Sequence, residues 1–261
     1  MQHAAQPFGV GPSEVLETYY EELLQQFGPQ DWWPARTRLE VILGAILTQN
    51  TTWQNAALAI SRLRTAGLLQ WPRLRRASTS QIETCVRPAG YFRQKAKTIH
   101  TFVEWLDSAH RGSLDALFRQ PPGLARKQLL ALRGLGPETA DAILLYAGRL
   151  PFFVADAYTR RVLARHWLIS PEDGYASAQQ FLHRHLPAND RLFNEFHALL
   201  VETGKRHCKK QAADCRGCPL EPFLPSNGNG RAALQGEDGE LQPGIHHHSG
   251  REVRVKIREN K

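Results

Sequence analysis

In nearly every stretch before Pro225, apolar side chains recur every three to four positions with polar residues between them, the period of an amphipathic helix. From Ser13 to Gln26, the side chains of Val15, Leu16, Tyr19, Leu23 and Leu24 fall on one side. Pro34 suits the first turn of a helix running through Ile46, because its missing N–H costs nothing there. Thr52 is placed to cap a helix over Trp53–Thr65, and Gly67 is its stop signal. The same spacing predicts helices over Gln81–Val86, Arg93–Ala109, Leu124–Leu132, Pro137–Ala147, Ala157–Trp167, Ala176–Leu186 and Asp190–Lys205. No stretch alternates in the manner of a strand, so the pattern predicts an all-α fold. From residue 225 to 261 Gly, Asn, Gln and charged residues dominate. Such a segment buries too little apolar surface to offset its ordering entropy, and a disordered tail is expected.

Composition adds a partner class. The 261 residues are 42% hydrophobic and carry a formal net charge of +8, with a pI near 9.6. That balance favours a polyanionic partner without proving one. No apolar run is as long as a membrane span, and the first residues lack the basic start and apolar stretch of a signal peptide, so no membrane association and a cytoplasmic location are expected. Four cysteines in such a chain argue for thiols or a metal rather than disulfides. Cys208, Cys215 and Cys218 crowd together and Cys85 lies far away. His246–His248 reads as part of the solvated tail, and the basic end Arg251–Lys261 can add non-specific affinity for a polyanion.

The segment Leu132–Leu144, Leu-Arg-Gly-Leu-Gly-Pro-Glu-Thr-Ala-Asp-Ala-Ile-Leu, carries the sharpest local signal. Gly134 and Gly136 permit positive φ and close backbone approach in a tight turn between two helices. The unpaired amides at the start of the second helix can then hold a phosphate oxygen, helped by the helix dipole. Such a contact positions DNA without reading sequence. An ordinary Gly-rich turn is the bland alternative, but Leu132, Leu135, Ala140, Ile143 and Leu144 flank the turn and Asp156 follows Gly136 by twenty residues.

These residues resemble the helix–hairpin–helix base-excision DNA glycosylases of the endonuclease III superfamily, over about Trp32 to Cys218. The segments Trp32–Pro34, Ala45–Thr51, Cys85–Tyr91, Gln94–Lys97 and Glu138–Leu144 look most like the endonuclease III-like 3-methyladenine DNA glycosylases. The resemblance implies two helical subdomains flanking a DNA-binding cleft. Residues 35–148 would form a six-helix barrel containing the hairpin at 124–147. Residues 13–34 and 149–224 would form the other subdomain, with a cysteine loop at 208–218, between a flexible start at 1–12 and a basic tail at 225–261. Damaged double-stranded DNA would be the partner, gripped through Gln49, Gly134, Leu135, Gly136, Glu138 and Thr139, by an enzyme acting as a monomer.

The resemblance also assigns the chemistry. Asp156 matches the catalytic aspartate, whose carboxylate would stabilise positive charge on the sugar and orient or deprotonate water. As an ordinary helix cap it would sit in the same place, and the two roles are compatible. Glu138 stands where bifunctional relatives carry a lysine. A carboxylate cannot form an imine, so a monofunctional, water-using enzyme is expected. Lys95, Lys97 and Lys205 are conceivable stand-ins, each better read as a phosphate contact or a solvated charge. Trp32, Trp33 and Trp53 fall where the resemblance places pocket aromatics, although tryptophans beside helix starts often pack as core staples. Trp32 and Trp53 are expected to sandwich a cationic purine, with a cation–π gain of about 0.5–2 kcal/mol. Gln49 would fill the gap left by the flipped nucleotide, and Lys205 would line the pocket.

Cys208, Cys215 and Cys218 follow three-quarters of an iron–sulfur loop whose fourth cysteine would fall at Leu224. A [4Fe–4S] cluster normally takes four thiolates, so a vestigial loop ranks above a bound cluster. No cofactor is needed for hydrolysis. The leading expectation is a base excision repair glycosylase acting on alkylated purines. The alternatives are a glycosylase/lyase for oxidised pyrimidines and a non-catalytic DNA-binding module, against which Asp156 argues.

Overall fold

The computed structural model describes residues 11–225, and the expectations for the start of the chain and for the tail beyond Pro225 fall outside them, apart from Gly11 and Pro12. Pro12, expected in a flexible start, opens the first helix. The helices are α1 (Pro12–Phe27), α2 (Arg38–Leu47), α3 (Trp53–Thr65), α4 (Trp71–Leu74), α5 (Thr79–Val86), α6 (Phe92–His110), α7 (Leu114–Phe118), α8 (Pro122–Leu130), α9 (Pro137–Ala142), α10 (Ala157–Arg165), α11 (Tyr175–His185) and α12 (Asp190–Arg206). No strand occurs among the described residues, only an isolated bridge between Cys208 and Ala213.

Helix starts follow their caps. Thr37, Thr52, Ser78, Asp156 and Asn189 each accept a hydrogen bond from a backbone amide two or three positions on, supplying a partner that the first turn lacks. This corrects the expected start of α2. Thr37 caps it, so the helix begins at Arg38 and Pro34 lies outside, in an irregular segment carrying Trp32 and Trp33. The short helices α4 and α7 escape prediction because four or five residues show no period. The segment expected to be helical through Ala147 is α-helical only to Ala142. Ile143–Ala147 forms a π turn, an irregularity frequent near functional sites.

Two groups of helices share one continuous apolar core. In one, α1 packs on α11 and α12, and α10 packs on α12. In the other, α2 packs against α3, α6 and α9, while α5 lies on α3 and α6. Every residue of α2 from Leu39 to Leu47 is buried, including Glu40, whose charge is met by Arg64 of α3. The π turn touches both α2 and α12, so Tyr146 lies on the seam between the groups.

Candidate active site

Asp156 sits at this seam. Its Oδ1 accepts from the Thr159 amide at 2.8 Å, the capping bond that starts α10. Its Oδ2 lies 3.6 Å from Nε2 of His197, on the buried face of α12, and the side chain is 14% exposed. Burial pushes the carboxyl toward neutrality, but His197 and Thr159 outweigh burial and hold it below the usual aspartate range. The arrangement supplies a largely desolvated, oriented anion that keeps one path to solvent.

Around it stand groups that sequence reasoning missed. His197 Nδ1 makes a short hydrogen bond with the hydroxyl of Tyr146. Tyr146 stays protonated far into alkali, first because it is buried and then because Asp156 is close. The indole N–H of Trp32 lies beside that hydroxyl without reaching hydrogen-bond geometry. The signal for His197 was its register: it shares the buried stripe of α12 with Phe193, Phe196 and Leu200, and a polar residue on an apolar stripe needs a partner. Tyr146 gave no such signal.

The hairpin places Glu138 near Asp156. Burial and then the Asp156 charge raise the Glu138 carboxyl, while His197 and Arg160 oppose them. The residue still has solvent on one side. Of the two hairpin glycines only Gly134 needs its special backbone, with φ of 96° and a hypothetical Cβ 2.2 Å from Thr98 Oγ1. Gly136 has an ordinary φ of −85°, which corrects the expectation of positive φ there. Nothing lies within 4 Å of its would-be Cβ, so the backbone is open to approach. Leu135 is buried and joins the core, and only its backbone can meet DNA. Thr139 is also buried. Gln49 Nε2 donates to the Gly134 carbonyl at 3.0 Å and to Thr139 Oγ1 at 2.8 Å, so its amide is tied to the hairpin.

Trp32, Trp33 and Trp53 form a three-ring cluster. The Trp32 and Trp53 ring centres are 5.1 Å apart and their planes are tilted by 54°. That is direct contact, and a base held between two rings needs about twice a stacking distance, so the expected sandwich is not present. Trp33 is the innermost ring. It lies against Tyr146 and over Gly44, where a Cβ would come within 3.0 Å of its Cζ2. Trp32 and Lys205 line a cavity of about 250 Å³ with Ala198, Val201 and Glu202, and Glu202 Oε2 lies 3.8 Å from Lys205 Nζ.

Lys95 is neither a phosphate contact nor a solvated charge. It is 3% exposed and donates to the carbonyls of Leu47 and Ala89 at 3.0 and 2.6 Å, closing the end of α2. Burial lowers its ammonium below the ordinary lysine range. Lys97 is exposed.

The cysteine loop folds back on α10. Arg165 donates to Cys208 Sγ at 3.1 Å and Arg161 to the Cys208 carbonyl at 2.6 Å. Burial pushes the Cys218 thiol up to about 11 and raises Cys215 as well, so both carry protons at neutral pH. Leu224 holds the fourth position and, among the described residues, no three His, Cys, Asp or Glu side chains converge to hold a metal ion. The residues present do not fit an iron–sulfur cluster.

The hairpin and the desolvated carboxylate thus meet at one helical seam. Residues 43–188 match the HhH-GPD superfamily of base excision DNA repair proteins, and the chain belongs to that family. It is therefore a DNA glycosylase of the all-α helix–hairpin–helix class. A Methanocaldococcus jannaschii protein named as a candidate DNA repair glycosylase is 36% identical over 82% of this chain and 97% of its own. Endonuclease III of Sulfolobus acidocaldarius is 29% identical over 72% of this chain and 82% of its own. Among solved structures, the H. pylori 3-methyladenine DNA glycosylase bound to 1,N6-ethenoadenine superposes with a TM-score of 0.64 at 27% identity, covering 76% of this chain and 98% of that one. A trapped endonuclease III–DNA covalent intermediate shares the fold, with a TM-score of 0.71 at 20% identity over 87% and 100% of the two chains.

Proposed function

We propose that the protein is a monofunctional glycosylase that hydrolyses the N-glycosidic bond of alkylated purines such as 3-methyladenine in duplex DNA. The observation that carries this reading is an ionised, largely buried Asp156 next to Tyr146, against which the three-indole cluster packs, with Glu138 where a Schiff-base lysine would stand. The hairpin amides at Glu138 and Thr139 have no partner within their own helix and are placed to hold a phosphate. With the nucleotide extruded, Asp156 faces the sugar and stabilises the positive charge that grows as the bond to the base breaks. Water completes the displacement, because no lysine lies at the nucleophile's place.

The base is already cationic in an alkylated purine. It leaves readily without a dedicated general acid, and the exposed faces of the indole cluster attract it. The Lys205 charge, offset by Glu202, bounds the cavity beside Trp32. The bound ligand of the H. pylori relative, an adenine derivative, supports a purine pocket.

The test is a panel of duplexes, each with a single lesion, incubated with the wild-type enzyme and with Asp156→Asn. Excision of 3-methyladenine by the wild type, with its loss in the variant and DNA binding retained, is expected. Asn is also a favoured cap, so the variant removes charge while α10 keeps its start. Single-turnover excision by Asp156→Asn at the wild-type rate would overturn the assignment. Borohydride trapping of a covalent complex, or excision confined to oxidised pyrimidines, would replace it with the glycosylase/lyase reading.

A further inference from the structure

Among the described residues three buried side-chain nitrogens have no hydrogen-bond partner: Trp32 Nε1, Arg160 Nε and His197 Nε2. All three side chains belong to the neighbourhood of Asp156. Trp32 lies beside the Tyr146 hydroxyl, the Arg160 charge acts on Glu138, and His197 Nε2 approaches Asp156 Oδ2 to 3.6 Å. Buried polar groups are normally satisfied, so such a concentration marks a place organised for something other than packing. His197 is the most constrained of the three. Nε2 has the carboxylate before it, an acceptor without hydrogens, so Nε2 carries a proton. When the ring is neutral, Nδ1 is then bare and accepts from the Tyr146 O–H. A core histidine serving only to fill space would have both nitrogens paired. This one has its second nitrogen aimed at the carboxylate from just beyond bonding distance, a gap typical of catalytic pairs before substrate arrives.

We propose that Tyr146 and His197 form a positioning pair for the glycosylase reaction: the Tyr146 hydroxyl fixes the ring so that its Nε2–H holds Asp156 Oδ2 in place and charged during base excision. The inference rests on the proposed role of Asp156. Asp156 caps α10, which packs on α12, so the carboxylate and His197 belong to one helical group, while Tyr146 reaches the ring from the π turn across the seam. The other groups around this carboxylate are the amide and hydroxyl of Thr159 on its own helix, the Tyr146 hydroxyl and Glu138 of α9, whose charge opposes ionisation, while Arg160 of α10 offsets Glu138. Removing His197 leaves Asp156 with the amide and hydroxyl of Thr159 alone against burial and Glu138. Its proton is then lost only at higher pH.

The experiment is the pH profile of single-turnover release of 3-methyladenine from methylated duplex DNA by the wild type, His197→Gln, Tyr146→Phe and Asp156→Asn, together with ¹⁵N NMR of the histidine rings in the intact wild-type protein. His197→Gln is expected to shift the acid limb upward by about one pH unit, and Tyr146→Phe by less in the same direction. A purely structural role would lower the rate without moving the limb. The ring of His197, assigned by its shift in Tyr146→Phe, is expected as the Nε2–H tautomer. Unmoved limbs in both variants, or an Nδ1–H tautomer, would overturn the pair while leaving Asp156 untouched. Full activity in Asp156→Asn would instead remove the assignment on which the pair depends. The tautomer is decided without any variant needing to fold under acid, and without a particular lesion being the substrate.

Discussion

Asp156 owes its charge to two neighbours of different origin. Thr159 is three residues away, and any helix-capping aspartate would find such an amide. His197 is forty-one positions away, a pairing that only the packing of α12 against α10 supplies. The indole cluster has the same mixed origin. Trp53 is held by its place at the start of α3, while Trp33 is held by Gly44 and Tyr146. Because Trp33 is the inner ring, replacing it tests packing, whereas Trp53 tests recognition. Trp53→Ala is expected to weaken excision of a cationic purine about fivefold or more, in line with a lost cation–π contact. A neutral purine analogue in the same assay should lose less, and equal losses for the two bases would remove the cation–π account.

Helix α9 is bolted to its surroundings by its fully buried aspartate. Asp141 Oδ1 and Oδ2 accept from Arg126 of α8 at 2.6 and 3.0 Å, and Oδ2 also accepts from Tyr175 and Gln179 of α11 at 2.9 and 2.7 Å. Gln179 continues to the Phe153 carbonyl, just before the Asp156 segment. This network joins the hairpin to the helix that lies across the seam. Asp141→Ala leaves Arg126 without its counter-charge, and a loss of about 3–5 kcal/mol is expected in denaturant unfolding. A loss below 1 kcal/mol would show that the network contributes little. In the sequence Asp141 was only one letter of a family segment. Its three donors come from positions 126, 175 and 179, and no local period links them.

The group built from α1 and α10–α12 also holds a buried side chain that titrates. His166 is nearly buried between α1 and the 221–223 turn. Its Nδ1 lies 2.8 Å from the Tyr19 hydroxyl and 3.3 Å from the Phe223 carbonyl, and burial holds the ring down to about 4. Since the folded value lies below the unfolded one, the neutral ring favours folding at neutral pH. That contribution declines as pH falls below about 6.5 and is gone once pH passes below about 4, a change of about 3 kcal/mol. Thermal melts of the wild type should therefore drop steeply across that window, and His166→Gln should show a shallower fall. Equal slopes would place the acid sensitivity elsewhere. At neutral pH, a net charge of +8 sets a different dependence: duplex affinity should fall with salt, with a log–log slope of about −0.9 for each phosphate contact. A flat response would contradict a phosphate grip.

The sequence by itself determined the longer helices, the caps at Thr52 and Asp156, the helical class, the hairpin, the acid at position 156 and the missing lysine, because each depends on residues close together in the chain. Helical period, capping and turn chemistry act within a few positions, and a family motif preserves local order. Only the tertiary structure decided that Lys95 closes α2, that Leu135 turns inward, that Trp32 and Trp53 touch instead of standing apart, and that His197 and Tyr146 attend the carboxylate. These outcomes follow from burial and charge compensation among side chains brought together by folding. Such energies depend on distance in space, and the linear order of the chain does not contain that distance.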